Sequence, residues 1–133
     1  MTPQANDPER GSAVVDFVLL GVLVVALLLA VLQVAVYVHV RNVVVASAQE
    51  GARYAANADV PTDAGAARTL EVVALATTRQ TADGLSCSST QESDASGLTL
   101  VVVRCEGAVP ALLAGLGDLL PVRVTGRAVA EAP

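Results

Sequence analysis

Few residues in this chain have side chains that could do chemistry. Cys87 and Cys105 are its two thiols, and His39 is its one histidine. A zinc site needs several such ligands at close spacing, which this sequence does not offer. A histidine at the end of an apolar run is also badly placed to form a Ser-His-Asp triad. No phosphate-binding loop or glycine fingerprint follows a strand. The sequence therefore predicts no catalytic residue, no metal site and no cofactor.

The cysteine pair predicts a disulfide instead. Both cysteines follow the apolar run, and an even pair in a small domain beyond a membrane is typical of an oxidising compartment. A bridge between them would close a loop of roughly 20 residues and stabilise the fold by roughly 3 kcal/mol. The alternative is two unrelated buried thiols.

The elements that position these residues begin with an apolar run from Phe17 to Val40, which contains no acid, lysine or arginine. A helix of about 24 residues is about 36 Å long, against about 30 Å for the hydrocarbon core of a bilayer. A helix that is apolar on every face needs more protein around it than this chain supplies. The run therefore predicts one transmembrane helix, with Tyr37 and His39 as interfacial side chains at its outer end.

The orientation of this helix follows from two opposing signals. Positive charges after the run favour a cytoplasmic C-terminal side, whereas the cysteine pair and the length of that side favour its export. We expect a cytoplasmic N-terminus and an extracytoplasmic C-terminal domain. Cleavage after the small residues 46–48 would make the run a signal peptide, but it is much longer than the core of one.

Beyond the run, alanine is frequent and proline absent as far as Ala58, so the helix is predicted to continue out of the bilayer. Ala48, Gly51, Ala52 and Ala55 form ridges of small residues that let another backbone approach closely. Two alternatives stay open for these ridges, packing against a partner helix and packing against the chain's own domain.

The remaining residues predict a small α+β domain with a short antiparallel sheet. We expect a second helix capped by Thr62 or Asp63 and ended by Asp83-Gly84, and strands near Cys87, at 98–106 and at 122–131. The buried face of that helix is expected at Ala67, Leu70, Ala74 and Thr77, and the connection 107–121 is expected to contain one or two helical turns. The net charge of −5, with no lysine and no basic stripe, excludes a nucleic-acid footprint.

The junction before the apolar run carries the most specific pattern. Gly11 and Ser12 precede Asp16 and Phe17, which lead directly into the run. An acid in the first turn of a helix is by itself explained by the helix dipole, worth about 0.3–1 kcal/mol. Together with Arg41-Asn42-Val43 and the AQEGARYAA block at 48–56, however, the junction resembles TadE-like proteins of tight-adherence pilus assembly.

The resemblance implies that a prepilin peptidase cuts after Gly11 and leaves Ser12 as the new N-terminus. It also implies that Asp16, with Phe17 beside it, sets the subunit register by pairing with the terminal amine of a neighbouring subunit. Asp16 is one methylene shorter than the glutamate usual in the family. The domains implied are a leader or cytoplasmic segment 1–11, a transmembrane helix with its extracytoplasmic continuation 12–58, and a small α+β domain 59–133.

The function implied is that of a minor pseudopilin, a structural and non-enzymatic component of a tight-adherence (Flp) pilus or a related type II/IV secretion system. Its expected partners are membrane lipid, other pilins or pseudopilins, prepilin peptidase and pilus platform proteins, and nucleic acid is not among them. The competing hypothesis is an unprocessed, single-pass membrane-anchored binding or regulatory subunit.

Overall fold

The computed structural model of the chain describes residues 9–109 and 120–132, with side chains from residue 11 onward. The chain divides into two compact units, the first ending at Val34 and the second beginning at Ala35. The elements, in chain order, are α1 (Glu9–Ala55), α2 (Ala64–Ala76), α3 (Arg79–Asp83), β1 (Leu85–Ser93), β2 (Thr99–Ala108) and β3 (Pro121–Val129). The predicted α+β class, with a long N-terminal helix, a second helix and an antiparallel sheet, is confirmed.

The first unit is an apolar helix most of whose side chains are exposed. Phe17 is 77% exposed, and most valines and leucines as far as Val34 are exposed as well, whereas Gln33 is 7% exposed. Within the described residues α1 is the one helix long and apolar enough to cross a membrane, and its most apolar window has no buried side chain. A soluble core helix would have that face covered. This unit is therefore consistent with a single-pass membrane anchor.

The last part of α1 belongs to the second unit and lies in its core. Val40, Val44, Ala48 and Ala52 recur every four residues and are at most 7% exposed. Residues four apart lie on one face of a helix, so the four make a continuous ridge. That ridge packs with valines of β2 and β3 in one apolar cluster.

The sequence predicted one continuous second helix, but the structure has two, α2 and α3, with a break at residues 77–78. α2 ends at Ala76, because Thr77 turns its hydroxyl back to the carbonyl of Val73 (2.7 Å) and leaves helical geometry. Thr78 is extended and caps α3 by accepting a hydrogen bond from the N–H of Thr81 at 3.1 Å. Such local hydroxyl bonds compete with the helix ladder. The expectation of one helix reaching Asp83 was wrong for this reason.

The start and the buried face of α2 also differ from expectation. Asp63 occupies the N-cap position, but its side chain makes no capping hydrogen bond. The buried residues are Gly65, Thr69 and Val73, whereas Leu70 and Ala74 are partly buried beside them. The structure instead turns Gly65, Thr69 and Val73 inward, and the first two of these lie directly against Gly51 of α1, where little space is available.

The sheet is antiparallel with strand order β1-β2-β3. Its inner face is covered by α1 and α2, and the buried side chains there are Leu85 of β1, Val101, Val103 and Cys105 of β2, and Val122 and Val124 of β3. The outer face is mostly polar, although Val102, between Thr90 and Arg127, is buried there. There Arg104 reaches Glu92 at 2.6 Å, and Arg123 lies 3.4 Å from Glu106. The helical turns expected between β2 and β3 fall largely on 110–119, outside the described residues.

Candidate assembly site

The residues of the proposed junction lie together on the exposed start of α1. Gly11, Ser12, Asp16 and Phe17 are all helical and exposed. A Cβ added to Gly11 would meet nothing within 4 Å, so packing does not require glycine at this position. Ser12 and Asp16 are four residues apart and therefore share one helix face, about 6 Å apart along the axis. These side chains are therefore not covered by any other described part of the chain.

Asp16 makes no ion pair within residues 11–109 and 120–132. An unpaired carboxylate next to a membrane span is costly if it moves toward the bilayer centre, by about 2.5–3.5 kcal/mol. Because α1 already begins at Glu9, Asp16 lies about two turns into the helix and not in its first turn as the sequence suggested; it is exposed and directly precedes the apolar stretch.

A recess lies beside the junction on the same exposed stretch. Gly21 is one turn after Phe17, and a Cβ added to Gly21 would meet nothing within 4 Å. The apolar recess has a volume of about 510 Å³ and is lined by Phe17, Val18, Gly21, Val22, Val25, Ala26 and Leu29. Its walls offer almost no polar atoms, which suits contact with lipid or with another apolar helix.

The four small residues singled out for helix packing face the chain's own domain. Ala48, Ala52 and Ala55 are buried, and a Cβ added to Gly51 would collide with the Thr69 side chain and the Gly65 carbonyl of α2. Their surfaces are therefore covered by α2 and the sheet. The sequence left open whether these residues pack against a partner helix or against the chain's own domain. The contacts in the structure are those of packing within the domain.

The backbones of β3 and α1 also approach each other closely at Gly126, which was not predicted from the sequence. A Cβ there would meet the backbone of Ala48 and Gln49. Beside it, the Gln49 side-chain oxygen accepts a hydrogen bond from the Arg127 N–H at 3.3 Å and so satisfies a donor on the outer edge of β3. The one available signal was a glycine within a β-branched run, which often marks close backbone contact.

The predicted disulfide is confirmed: Cys87 and Cys105 are bonded. They are directly opposite each other in the β1–β2 register, with a Cα–Cα distance of 4.1 Å. This is near the shorter of the two spacings found across antiparallel strands. Cys105 is 2% exposed and belongs to the main core cluster. The bridge thus ties the edge strand to the central strand from inside the core.

The hairpin that joins the bridged strands is closed by Asp94. Its carboxylate accepts hydrogen bonds from the Ser96 hydroxyl (2.6 Å), the Ser96 N–H (2.8 Å) and the Leu98 N–H (3.0 Å). The Ser96 hydroxyl, followed by the Leu98 N–H, lowers the pKa of Asp94 below its ordinary 3.8. Gly97 has a φ of 83°, which a glycine adopts without strain.

Tyr37 has a structural partner that the sequence did not indicate. Its hydroxyl donates a hydrogen bond to the carbonyl of Pro121 at 3.1 Å, and its ring packs against the main core cluster. His39, two residues on, is exposed. Across residues 9–109 and 120–132, no three His, Cys, Asp or Glu side chains are grouped as metal ligands would be.

Comparison with known proteins gives one match. The model of the TadE-like protein family matches residues 11–53. Searches among curated proteins and among solved structures return no significant match. The matched segment begins at Gly11 and ends two residues before the end of α1, so it includes the proposed junction, the exposed apolar helix and most of the ridge that packs into the domain. The match agrees with the resemblance seen in the sequence, and residues 11–53 are similar to the TadE-like family.

Proposed function

We propose that the chain is a minor pseudopilin-like structural component of a tight-adherence pilus assembly system. The TadE-like family comprises structural-type proteins associated with Tad pili. One observation carries the finer assignment: the family match starts at Gly11, where an exposed glycine and an exposed acid five residues later lead into an uncovered apolar helix. A filament subunit needs such a helix, because its neighbours and the membrane must both be able to cover it.

In this proposal each part of the chain has a separate role. Prepilin peptidase removes residues 1–11, and Ser12 becomes the terminal residue. Asp16 then accepts an ion pair from the amine of a neighbouring pilin, with Phe17 packing beside it. The apolar helix holds the subunit in the membrane until assembly, and the small disulfide-bonded domain lies on the extracytoplasmic side and contacts other subunits or the platform proteins.

Processing tests this proposal directly. The sequence contains no lysine, so the primary amine available to an amine-reactive reagent is the one at the N-terminus. Labelling the protein from its native membrane, followed by digestion and mass spectrometry, should place the label on Ser12. A matched Gly11→Val variant, in which the cleavage residue is blocked, should keep residues 1–11. Gly11 has open space around it, so this change leaves folding unaffected.

The competing function is an unprocessed membrane-anchored binding or regulatory subunit. The buried small residues are compatible with this alternative, because Ala48 and Gly51 pack within the chain's own domain and need no neighbouring subunit in a filament. A native protein that retains residues 1–11 in cells with an active prepilin peptidase would favour this alternative and contradict the pseudopilin.

A further inference from the structure

β1 is an edge strand of the sheet, with β2 on one side of it only. Cys87 and Cys105 lie opposite each other at a Cα–Cα distance of 4.1 Å, near the short spacing of a pair that exchanges no backbone hydrogen bonds. The N–H and C=O of Cys87 therefore point away from β2. Because this direction alternates along a strand, the outward-pointing residues are Leu85, Cys87, Ser89, Gln91 and Ser93.

These outward backbone groups have no protein partner within the described part of the chain. The other edge of the sheet is protected, because β3 begins with Pro121 and the N–H of Arg127 is bonded to Gln49. Proline, charged side chains and covering groups are the usual means by which edge strands avoid pairing with other chains. β1 contains no proline and no basic residue, and its one acid, Glu92, is held by an arginine of β2 at 2.6 Å.

Ser89, the middle residue of β1, also has an unsatisfied side chain. It lies against Gly65 of α2, and its hydroxyl is buried without a hydrogen-bond partner in the described part of the chain. A buried hydroxyl that makes no hydrogen bond is unfavourable. A further strand along this edge would place a new side chain beside it.

We propose that β1 pairs antiparallel with β1 of a second copy of this chain, about a two-fold axis at Ser89. In this register Ser89 faces Ser89, and Cys87 faces Gln91. Leu85 at the start of the strand faces Ser93 at its end, so every outward-pointing residue of β1 is paired. The two Ser89 side chains lie on the same face, where serines directly opposite each other can form a hydrogen bond. The two copies then share one six-stranded sheet.

A second copy fits this edge because β1 is complementary to itself. On the outer face Ser88 faces Thr90, and Ser86 faces Glu92, so the acid of each copy meets a serine of the other. Like charges directly opposite each other destabilise a strand pair, and this register has none. The small polar side chains offer no pocket that would select a different sequence, so the backbone supplies the recognition. The pairing goes beyond the proposed function and does not depend on cleavage at Gly11.

Nitroxide spin labels distinguish this pairing from other dimers. The two native cysteines are bonded to each other, so a cysteine introduced by Ser88→Cys or Thr125→Cys is the one thiol free to be labelled. With strands about 4.8 Å apart, the pairing places the two Ser88→Cys sites within about 10 Å of each other and the two Thr125→Cys sites, on β3, about 25 Å apart. For the full chain in detergent micelles we expect dipolar broadening from the first pair and a resolved distance near the second value. Dilution with unlabelled chain should remove both signals.

Matched proline variants test the backbone contact. Gln91→Pro removes an outward N–H from β1, and Thr125→Pro removes one from β3, while neither takes a hydrogen bond from the β2 ladder. With the label at Ser88→Cys, the broadening should disappear in Gln91→Pro and persist in Thr125→Pro. Equal broadening in the two variants would refute the pairing.

Sedimentation of the unsubstituted chain in the same micelles gives a result that does not depend on the folding of a variant. A dimer is expected at the concentration used for the spin labels. A monomer would overturn the proposal and leave the edge to a strand of another protein. A dimer whose Ser88→Cys labels show no broadening would overturn it as well, because the two copies would then meet elsewhere.

Discussion

Two glycines set the distances between backbones in the domain. Gly51 lets α2 approach α1, and Gly126 lets β3 approach α1 from the other side. In both places an added Cβ would meet backbone atoms, which cannot rotate away as the end of a side chain can. The position of α1 in the core therefore depends on the absence of two methyl groups.

The substitution Gly51→Ala should destabilise the domain. Overpacking into the Gly65 carbonyl and the Thr69 side chain costs about 3 kcal/mol, at the upper end of the usual range, while alanine gains about 1 kcal/mol in helix propensity. A net loss of about 2 kcal/mol in the free energy of unfolding is expected from denaturant melts in detergent. Gly21→Ala, with open space around it, is the control and should leave the melt unchanged. An unaltered midpoint for Gly51→Ala would contradict this packing.

Asp94 should make the hairpin sensitive to acid. Its pKa is lower in the folded state than in the unfolded chain, so the charged carboxylate stabilises the fold above the ordinary carboxyl pKa. That contribution is lost as the pH falls through the folded-state pKa. Amide exchange at Ser96 and Leu98 should accelerate on acidification below about pH 4, once corrected for intrinsic rates. Asp94→Asn should remove this dependence; an unchanged pH profile in the variant would refute it.

At the scale of elements, strands were easier to predict than helix ends. β2 and β3 are rich in β-branched residues, which favour strands; burial alternates along β3, whereas three consecutive valines are buried in β2. The break between α2 and α3 depends on two threonine hydroxyls that bond locally, and nothing in the residue types required Thr77 and Thr78 to do so. The face of α2 was missed because it is selected by its neighbour Gly51, a tertiary constraint absent from the periodicity of the helix itself.

The disulfide should stabilise the second unit alone. Replacing Cys87 and Cys105 together by serine should cost roughly 3 kcal/mol of its stability, while leaving membrane insertion intact because the exposed helix makes no use of the bridge. Limited proteolysis of the reconstituted protein, with and without reductant, measures this effect. Equal protease resistance in the two conditions would argue against any contribution from the bridge.

For the whole molecule, one long helix serves two environments. Up to Leu32 most of its side chains are exposed, and from Val40 onward one face is buried by protein. The sequence predicted the exposed apolar helix well because apolar content alone identifies it. The residue from which the domain begins to bury one helix face could not be predicted, since valine continues through both parts and contacts such as the bond of Tyr37 to Pro121 depend on the tertiary fold.

Asp16→Ala should leave the protein inserted but impair pilus formation. The substitution removes the charge that a neighbouring subunit's amine would meet, and alanine is readily accommodated in a membrane helix. Asp59→Ala, which removes another exposed acid, is the control and should form pili normally. Asp16→Glu should retain assembly because the carboxylate persists. Pilus counts by electron microscopy, with membrane fractionation as the insertion control, distinguish these outcomes. Normal piliation by Asp16→Ala would remove the role assigned to this residue.

The placement of Cys87 opposite Cys105 has a consequence for how the chain finds its native pairing. β1 is mostly serine, threonine and glutamine, so its side chains discriminate weakly between alternative alignments with β2. A slip by two residues would keep the same faces inward but carry the sulfur atoms out of bonding reach. We therefore expect oxidation to select the native alignment, because among alignments with the same inward faces it is the one that brings the two sulfur atoms within bonding distance.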